Sequence, residues 1–214
     1  MEKSGEVTLM RNNAVHLFVF DTMADWEAAF AVAAINNPQF QQVPGRFRVV
    51  TVGLTREPIT TMGGVRVQPD AALGEISPTE SSMLILPGGE QWEFGCNAAA
   101  IETTRRFIAN CVPVAAICAA TLALARAGLL DNRYHTSNAR EYLASSGYRG
   151  GRWYRDAAAV SDQGVITASG VAPVEFAREI VDALDLYNAC ALDAWYTLFK
   201  HGDASRYYEL AQTP

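Results

Sequence analysis

Apolar positions along the chain fall into short continuous runs separated by segments of helical spacing. Ala14 to Phe20, AVHLFVF, reads as a buried first strand, and the following DTMADWEAAFAVAAI switches to a helical period with Trp26, Phe30 and Ala33 on one face. Thr22 and Asp25 have the spacing of a capping box, with Asp in place of the usual Glu. They predict a helix that begins near Met23 and carries Glu27 near its first turn. Phe47 to Leu54, FRVVTVGL, predicts a second strand, and Ile59 to Val67 a small hairpin turning at Gly63-Gly64. Ser82 to Leu86, SMLIL, is a short buried strand ending in Pro87-Gly88-Gly89, a turn where the main chain can approach a ligand without side-chain obstruction.

A helical pattern covers Asn97 to Asn110, and Val112 to Thr121, VPVAAICAAT, is a buried-strand run that ends on Cys118 with small helix-compatible residues behind it. Gly128 reads as the stop of that helix, Tyr134 to Ser137 as a strand, and Ala139 to Ala144 as a short helix. Ala157 to Val160 and Val165 to Ala168, joined through Asp162-Gln163-Gly164, predict a hairpin, and Pro173 opens the helix VEFAREIVDALDLY. The rest of the chain, through Trp195, Tyr196, Phe199, Tyr207 and Tyr208, reads as a helical, aromatic extension over 188–214 whose rings cover the core. Strands alternating with helices imply an α/β fold whose sheet is mostly parallel and covered on both faces.

Composition narrows the setting. With 214 residues and 50% hydrophobic content the chain supports one substantial core, so residues 1–214 are expected to form one domain. A formal charge of −6 and the absence of any Lys/Arg run argue against nucleic acid and anionic membranes as partners. The longest charge-free apolar run, Cys111 to Ala125, is shorter than the roughly 18 residues of a membrane span and contains Pro113. The opening MEKSGEVTLMRNNAVHL lacks the apolar region of an export signal, so a cytoplasmic location is expected. Cys96, Cys111, Cys118 and Cys190 show no C-x-x-C spacing, and His16, His135 and His201 are scattered. Reduced thiols, no protein-bound metal and no cofactor are the corresponding expectations.

The chemistry centres on Cys118. A thiol on a strand-to-helix turn faces the unpaired amides and positive end of the helix, which favour a thiolate. Alone, the stretch is read more simply as an inert core cysteine. Convergence changes this: Glu27, Gly88-Gly89 and Cys118 each follow the C-terminal end of a predicted strand, the side on which open α/β sheets bind ligands.

Four segments, LILPGG at Leu84 to Gly89, AAICAAT at Ala115 to Thr121, ADWE at Ala24 to Glu27 and TASGVAPVEFA at Thr167 to Ala177, make the chain resemble the ThiJ/PfpI family of the class I glutamine amidotransferase-like fold, and within it the intracellular protease or amidase branch. The resemblance implies a flavodoxin-like three-layer α/β sandwich with a cysteine nucleophile elbow, Cys118 as nucleophile, Glu27 beside its sulfur, an oxyanion hole from the Gly89 and Ala119 amides, and a homodimer. A protonated Glu27 can donate to the thiolate whereas an ionised one repels it, so the two should titrate as a pair.

The chain also departs from the family. Many proteolytic members carry His directly after the elbow cysteine, where this chain has Ala119. Others place His twenty residues after it, where this chain has Asn138, which orients a substrate but exchanges no proton near neutral pH. Gly88 is a second substrate-orienting candidate. His135 is the remaining candidate base, but its odd offset from Asn138 on a strand turns it to the other face, so a structural role is expected. His16 reads as a core histidine, and His201 lies in the extension. A glutamine amidotransferase would need a late His beside a Glu; Glu175 is present without one.

The leading expectation is a cysteine-dependent hydrolase or amidase acting on a small-molecule or peptide substrate through Cys118 and Glu27. The alternatives are glyoxalase-like conversion of 2-oxoaldehydes and a stress-response protein that senses oxidation at Cys118. A transcription regulator is disfavoured by the acidic charge and the short chain after Tyr208.

Overall fold

The apolar runs become the strands of one sheet in the computed structural model, which describes residues 13–211. Met1–Asn12, part of the stretch read as lacking an export signal, and the last three residues of the extension lie outside the described residues. In chain order the elements are β1 (Ala14–Phe18), α1 (Ala29–Asn36), β2 (Arg48–Gly53), β3 (Ile59–Thr60), β4 (Arg66–Val67), β5 (Ala71–Ala72), β6 (Ser81–Leu86) and α2 (Ala98–Ala109). There follow β7 (Val114–Ile117), α3 (Ala119–Arg126), α4 (Arg140–Ala144), β8 (Ala159–Asp162), β9 (Val165–Ala168), α5 (Pro173–Ala183), α6 (Ala189–His201) and α7 (Ser205–Ala211).

The sheet order is β5-β2-β1-β6-β7-β9-β8, parallel throughout except for the antiparallel edge pair β8 and β9, and β3 with β4 forms a separate hairpin. Leu84, Ile85, Leu86 and all four residues of β7 are fully buried, as strands covered on both faces must be. Right-handed crossovers put the helices on opposite faces, because β1 leads outward to β2 while β6 leads the other way to β7. This is a flavodoxin-like α/β sandwich, and the reversal between β1 and β6 is the switch point at which such sheets open a crevice. The β8–β9 turn at Gln163 (φ 48°) and Gly164 (φ 73°) has the left-handed pair that a two-residue hairpin needs.

Two expectations fail for identifiable reasons. The first helix starts at Ala29, not near Met23, because Asp25 does not cap it. Its carboxylate instead accepts from Thr61 Oγ1 at 2.5 Å and Gly63 N at 2.7 Å, tying the β3–β4 hairpin to the turn after β1. Glu27 therefore sits in a turn before the helix, and Trp26 is exposed and off the buried face. Tyr134–Ser137 is not a strand and makes only an isolated bridge, His135 with Tyr154. Side chains of the β8–β9 edge satisfy its backbone: Tyr134 N donates to Asp162 Oδ2 (2.7 Å) and Thr136 N to Thr167 Oγ1 (2.9 Å).

The extension packs back as helices. Buried Trp195 meets Phe30 of α1 edge-on, and Lys200 of α6 pairs with Glu175 of α5 at 2.6 Å. Glu175 is thus a tie between helices. Among the described residues no helix is long and apolar enough to cross a membrane, and no three His, Cys, Asp or Glu side chains cluster as a metal site would require.

Candidate active site

Small residues let three strand ends meet. The tight exit from β7 holds Cys118 at φ 59° and ψ −126°, a conformation that non-glycine residues adopt at a cost of about 1–3 kcal/mol. It persists because both sides are pinned, by Cys118 N donating to Ala168 O (3.0 Å) and Thr121 N to Cys118 O (3.1 Å). At the end of β6, Gly88 O accepts from Ala24 N (3.0 Å) and Gly88 N donates to Glu27 Oε2, which draws the turn after β1 onto the glycine turn. A Cβ on Gly88 would lie 2.7 Å from both Cys118 Cβ and Glu27 Oε2, and one on Gly89 2.7 Å from the Phe20 ring.

The end of β9 completes the site. A Cβ on Gly170 would stand 2.7 Å from Cys118 Sγ and 3.2 Å from Glu27 Oε1, so Gly88 and Gly170 each press backbone against the thiol and the carboxyl. Asn138 joins this end to the sulfur: its Nδ2 donates to Cys118 Sγ (3.3 Å) while its Oδ1 accepts from Gly170 N (2.8 Å). Trp26 Nε1 then holds Gly170 O at 3.2 Å. Gly170, Trp26, Met62 and Tyr142 were not anticipated as site residues. Gly170 carried the signal that singled out Gly88, a glycine just past the C-terminal end of a buried strand.

Glu27, Gly89, Cys118, Ala119 and Asn138 line one cavity of about 160 Å³, with Trp26, Met62 and Tyr142 also on its wall. Glu27 is 1% exposed, and burial raises its carboxyl to about 7 even though the Gly88 amide and the Cys118 thiol both favour its ionised form. The Cys118 thiol is pushed up to about 11, first by burial and then by the charge of Glu27. Hydrogen bonds from Asn138 and the Ala119 amide oppose the rise without reversing it. The preference of the helix end for a thiolate is therefore outweighed by desolvation and, as anticipated for an ionised Glu27, by the neighbouring carboxylate. At neutral pH the pair is a thiol beside a carboxyl poised to take or give a proton.

The histidines lie elsewhere. His135 is fully buried, its Nδ1 donates to Arg133 O (2.8 Å), and Nε2 accepts from Tyr148 OH (3.1 Å). His16 is held by Ser81 Oγ at 2.9 Å inside β1, and His201 packs against Tyr196 in α6.

Comparison with known proteins gives consistent matches. The sequence pattern of the DJ-1/PfpI family covers residues 13–183. A Bacillus subtilis protein named "Uncharacterized protease YoaZ" is 38% identical over 207 residues, 95% of this chain and 99% of that one. The crystal structure of a thiJ/pfpI family protein from Bacillus anthracis superposes with a TM-score of 0.89 at 40% identity, covering 95% of this chain and 98% of that one. A Caenorhabditis elegans protein named "Glutathione-independent glyoxalase DJR-1.2" is 28% identical over 150 residues, 67% of this chain and 76% of that one.

Proposed function

The chain belongs to the DJ-1/PfpI family, and on that footing we propose that it is a thiol-dependent enzyme acting on small carbonyl compounds of the 2-oxoaldehyde class. One observation carries this reading: the Cys118 thiol and a carboxyl titrating at about 7 share the floor of a cavity of about 160 Å³. That volume holds about five water-sized groups, enough for a three-carbon oxoaldehyde.

In this reading ionised Glu27 accepts the thiol proton as sulfur bonds to the aldehyde carbon, then passes it to the carbonyl oxygen, which the Gly89 and Ala119 amides stabilise. The hemithioacetal isomerises as the hydrogens on the sulfur-bearing carbon and its oxygen move, by way of Glu27, to the neighbouring carbonyl. This leaves a thioester of a 2-hydroxy acid. Water cleaves the thioester, releasing the acid and restoring the thiol. The sum is addition of one water, with no net oxidation. The name of the nematode relative supports this reading.

A second reading, cysteine-dependent amide hydrolysis, is favoured by the name of the Bacillus subtilis relative and by the same oxyanion donors. Glu27 would then have to protonate the leaving amine, because no imidazole contacts the thiol among the described residues, and turnover of unactivated peptides should be slow. The deciding experiment compares methylglyoxal, simple amides and peptides with wild type, Cys118→Ala and Glu27→Gln. Hydroxy acid formed from methylglyoxal by wild type should fall at least 100-fold in either variant. Undiminished product from either variant overturns the proposal, and amide cleavage exceeding methylglyoxal conversion puts the second reading in its place.

A further inference from the structure

The Cys118 cavity carries charge of one sign. Besides Glu27 at its floor, its wall includes the carboxylates of Glu90 and Glu93, two exposed residues just after Gly89, and among the described residues no Lys or Arg side chain lines it. Neither carboxylate is ion-paired among the described residues. Two arginines lie close in the chain to site residues, and both are engaged elsewhere. Arg126 Nη1 donates to the carbonyls of Trp92 (3.2 Å) and Glu93 (2.9 Å), while Arg140 donates to Gly151 O (2.9 Å) and pairs with Asp156 at 3.6 Å.

The rest of the mouth suits a cation as well. Tyr142 OH donates to Glu93 Oε1 at 2.9 Å, which fixes that carboxylate against the wall, and burial with the Glu93 acceptor pushes the Tyr142 hydroxyl up so that it stays a donor. Trp26 is about half exposed, and its Nε1 bond to Gly170 O (3.2 Å) holds the indole in place beside Met62. Aromatic faces and carboxylates both attract a positive group, and neither attracts a negative one. A cleft lined by one sign of charge also focuses its field, and changes the local concentration of charged solutes by about 10- to 1,000-fold.

We propose that Glu90 and Glu93 form a charge filter at the mouth of this cavity. Carbonyl compounds with an alkylammonium or guanidinium group beyond the reacting carbon are favoured, neutral ones are admitted, and carboxylates and phosphates are turned away. The substrate class rests on the reading of Cys118 as the reacting group and narrows it. Glu90 and Glu93 set specificity and take no part in bond making.

Thiol labelling of the full chain tests the filter without turnover. Three methanethiosulfonates are compared, carrying 2-(trimethylammonio)ethyl, 2-sulfonatoethyl and, as the neutral reference, ethyl. Rates are read by peptide mass at Cys118, with the exposed free thiols of Cys111 and Cys190 as references for the overall charge of −6. At low salt the cation-to-anion rate ratio at Cys118, normalised to that of 2-mercaptoethanol, should exceed the ratio at both reference thiols at least about tenfold, and it should shrink in about 0.5 M salt. Glu90→Gln combined with Glu93→Gln should lower the Cys118 ratio at least about fivefold while leaving the neutral reagent within about threefold of wild type. Glu90→Lys should lower the ratio more than Glu90→Gln. A Cys118 ratio no higher than that at Cys111 and Cys190, or one unchanged in the double variant, overturns the proposal. Failure of wild type to convert methylglyoxal overturns the substrate class alone, because the labelling ratios do not depend on turnover.

Discussion

Glu27 and His135 are buried to the same degree, at 1% and 0% exposure, and burial drives both towards their neutral forms. Their surroundings differ. His135 has each ring nitrogen bonded to an immobile partner, the Arg133 carbonyl and the Tyr148 hydroxyl, so its tautomer is set and its proton has nowhere to go. Glu27 shares its proton with a thiol, on a cavity wall, between two glycines that allow nothing else to intervene. Burial alone therefore does not mark a reactive group. What distinguishes the carboxyl is an exchangeable partner and an open cavity beside it.

The contrast is broken most strongly at Glu27. An ordinary glutamate ionises near 4.5 and this one near 7. Below about pH 4.5 it is neutral both folded and unfolded and costs nothing. Between about pH 4.5 and 7 the folded chain keeps a proton that the unfolded chain has already released, so stability is lost across that window, up to about 3 kcal/mol, with no further loss above 7. Glu27→Gln should gain on the order of 3 kcal/mol over wild type at pH 8 and almost nothing at pH 4, by urea unfolding at the two pH values. An equal gain at both would mean that the side chain is not titrating there.

Gly170→Ala is next. Its Cβ would stand 2.7 Å from the sulfur, so the pair must move apart, and displacements of that size cost about 100-fold in rate. Methylglyoxal conversion and thermal unfolding measured together should show activity falling far more than stability. Asn138→Ala removes a hydrogen bond that lowers the thiol pKa, so the pH profile of Cys118 alkylation should move upward. A downward move would reverse the assigned role. The smallest effect on turnover belongs to His135→Phe, which should leave the rate within about twofold while lowering stability by about 1–3 kcal/mol, because the Arg133 carbonyl and Tyr148 hydroxyl lose their partner. A large loss of rate with stability intact would make His135 a participant.

Local patterning made the sheet legible. Each buried strand run was visible as an apolar block, Gly128 and Pro173 marked helix ends, and the hairpin of β8 and β9 was visible in its turn residues. The errors lie where long-range bonds displaced a local rule. Asp25 has the right spacing to cap a helix, yet it bonds Thr61 and Gly63, 36 and 38 residues away, and so Glu27 lies before the helix. Tyr134–Ser137 has strand composition, but β8 already occupies the sheet edge and its neighbours' side chains satisfy that backbone. Gly170 was present in a segment that had been singled out, but a glycine's role depends on what its missing Cβ would strike.

Alternating apolar runs and the placement of Cys118 just past one of them were determined by the sequence alone, because strand burial and turn chemistry are local properties. Tertiary structure decided the chemistry of the thiol. Glu27 reaches Gly88 across 61 residues, Asn138 reaches Gly170 across 32 and Trp26 reaches it across 144. Those contacts bury the carboxyl beside the sulfur, and desolvation with like-charge repulsion then overrules the helix end that favours a thiolate.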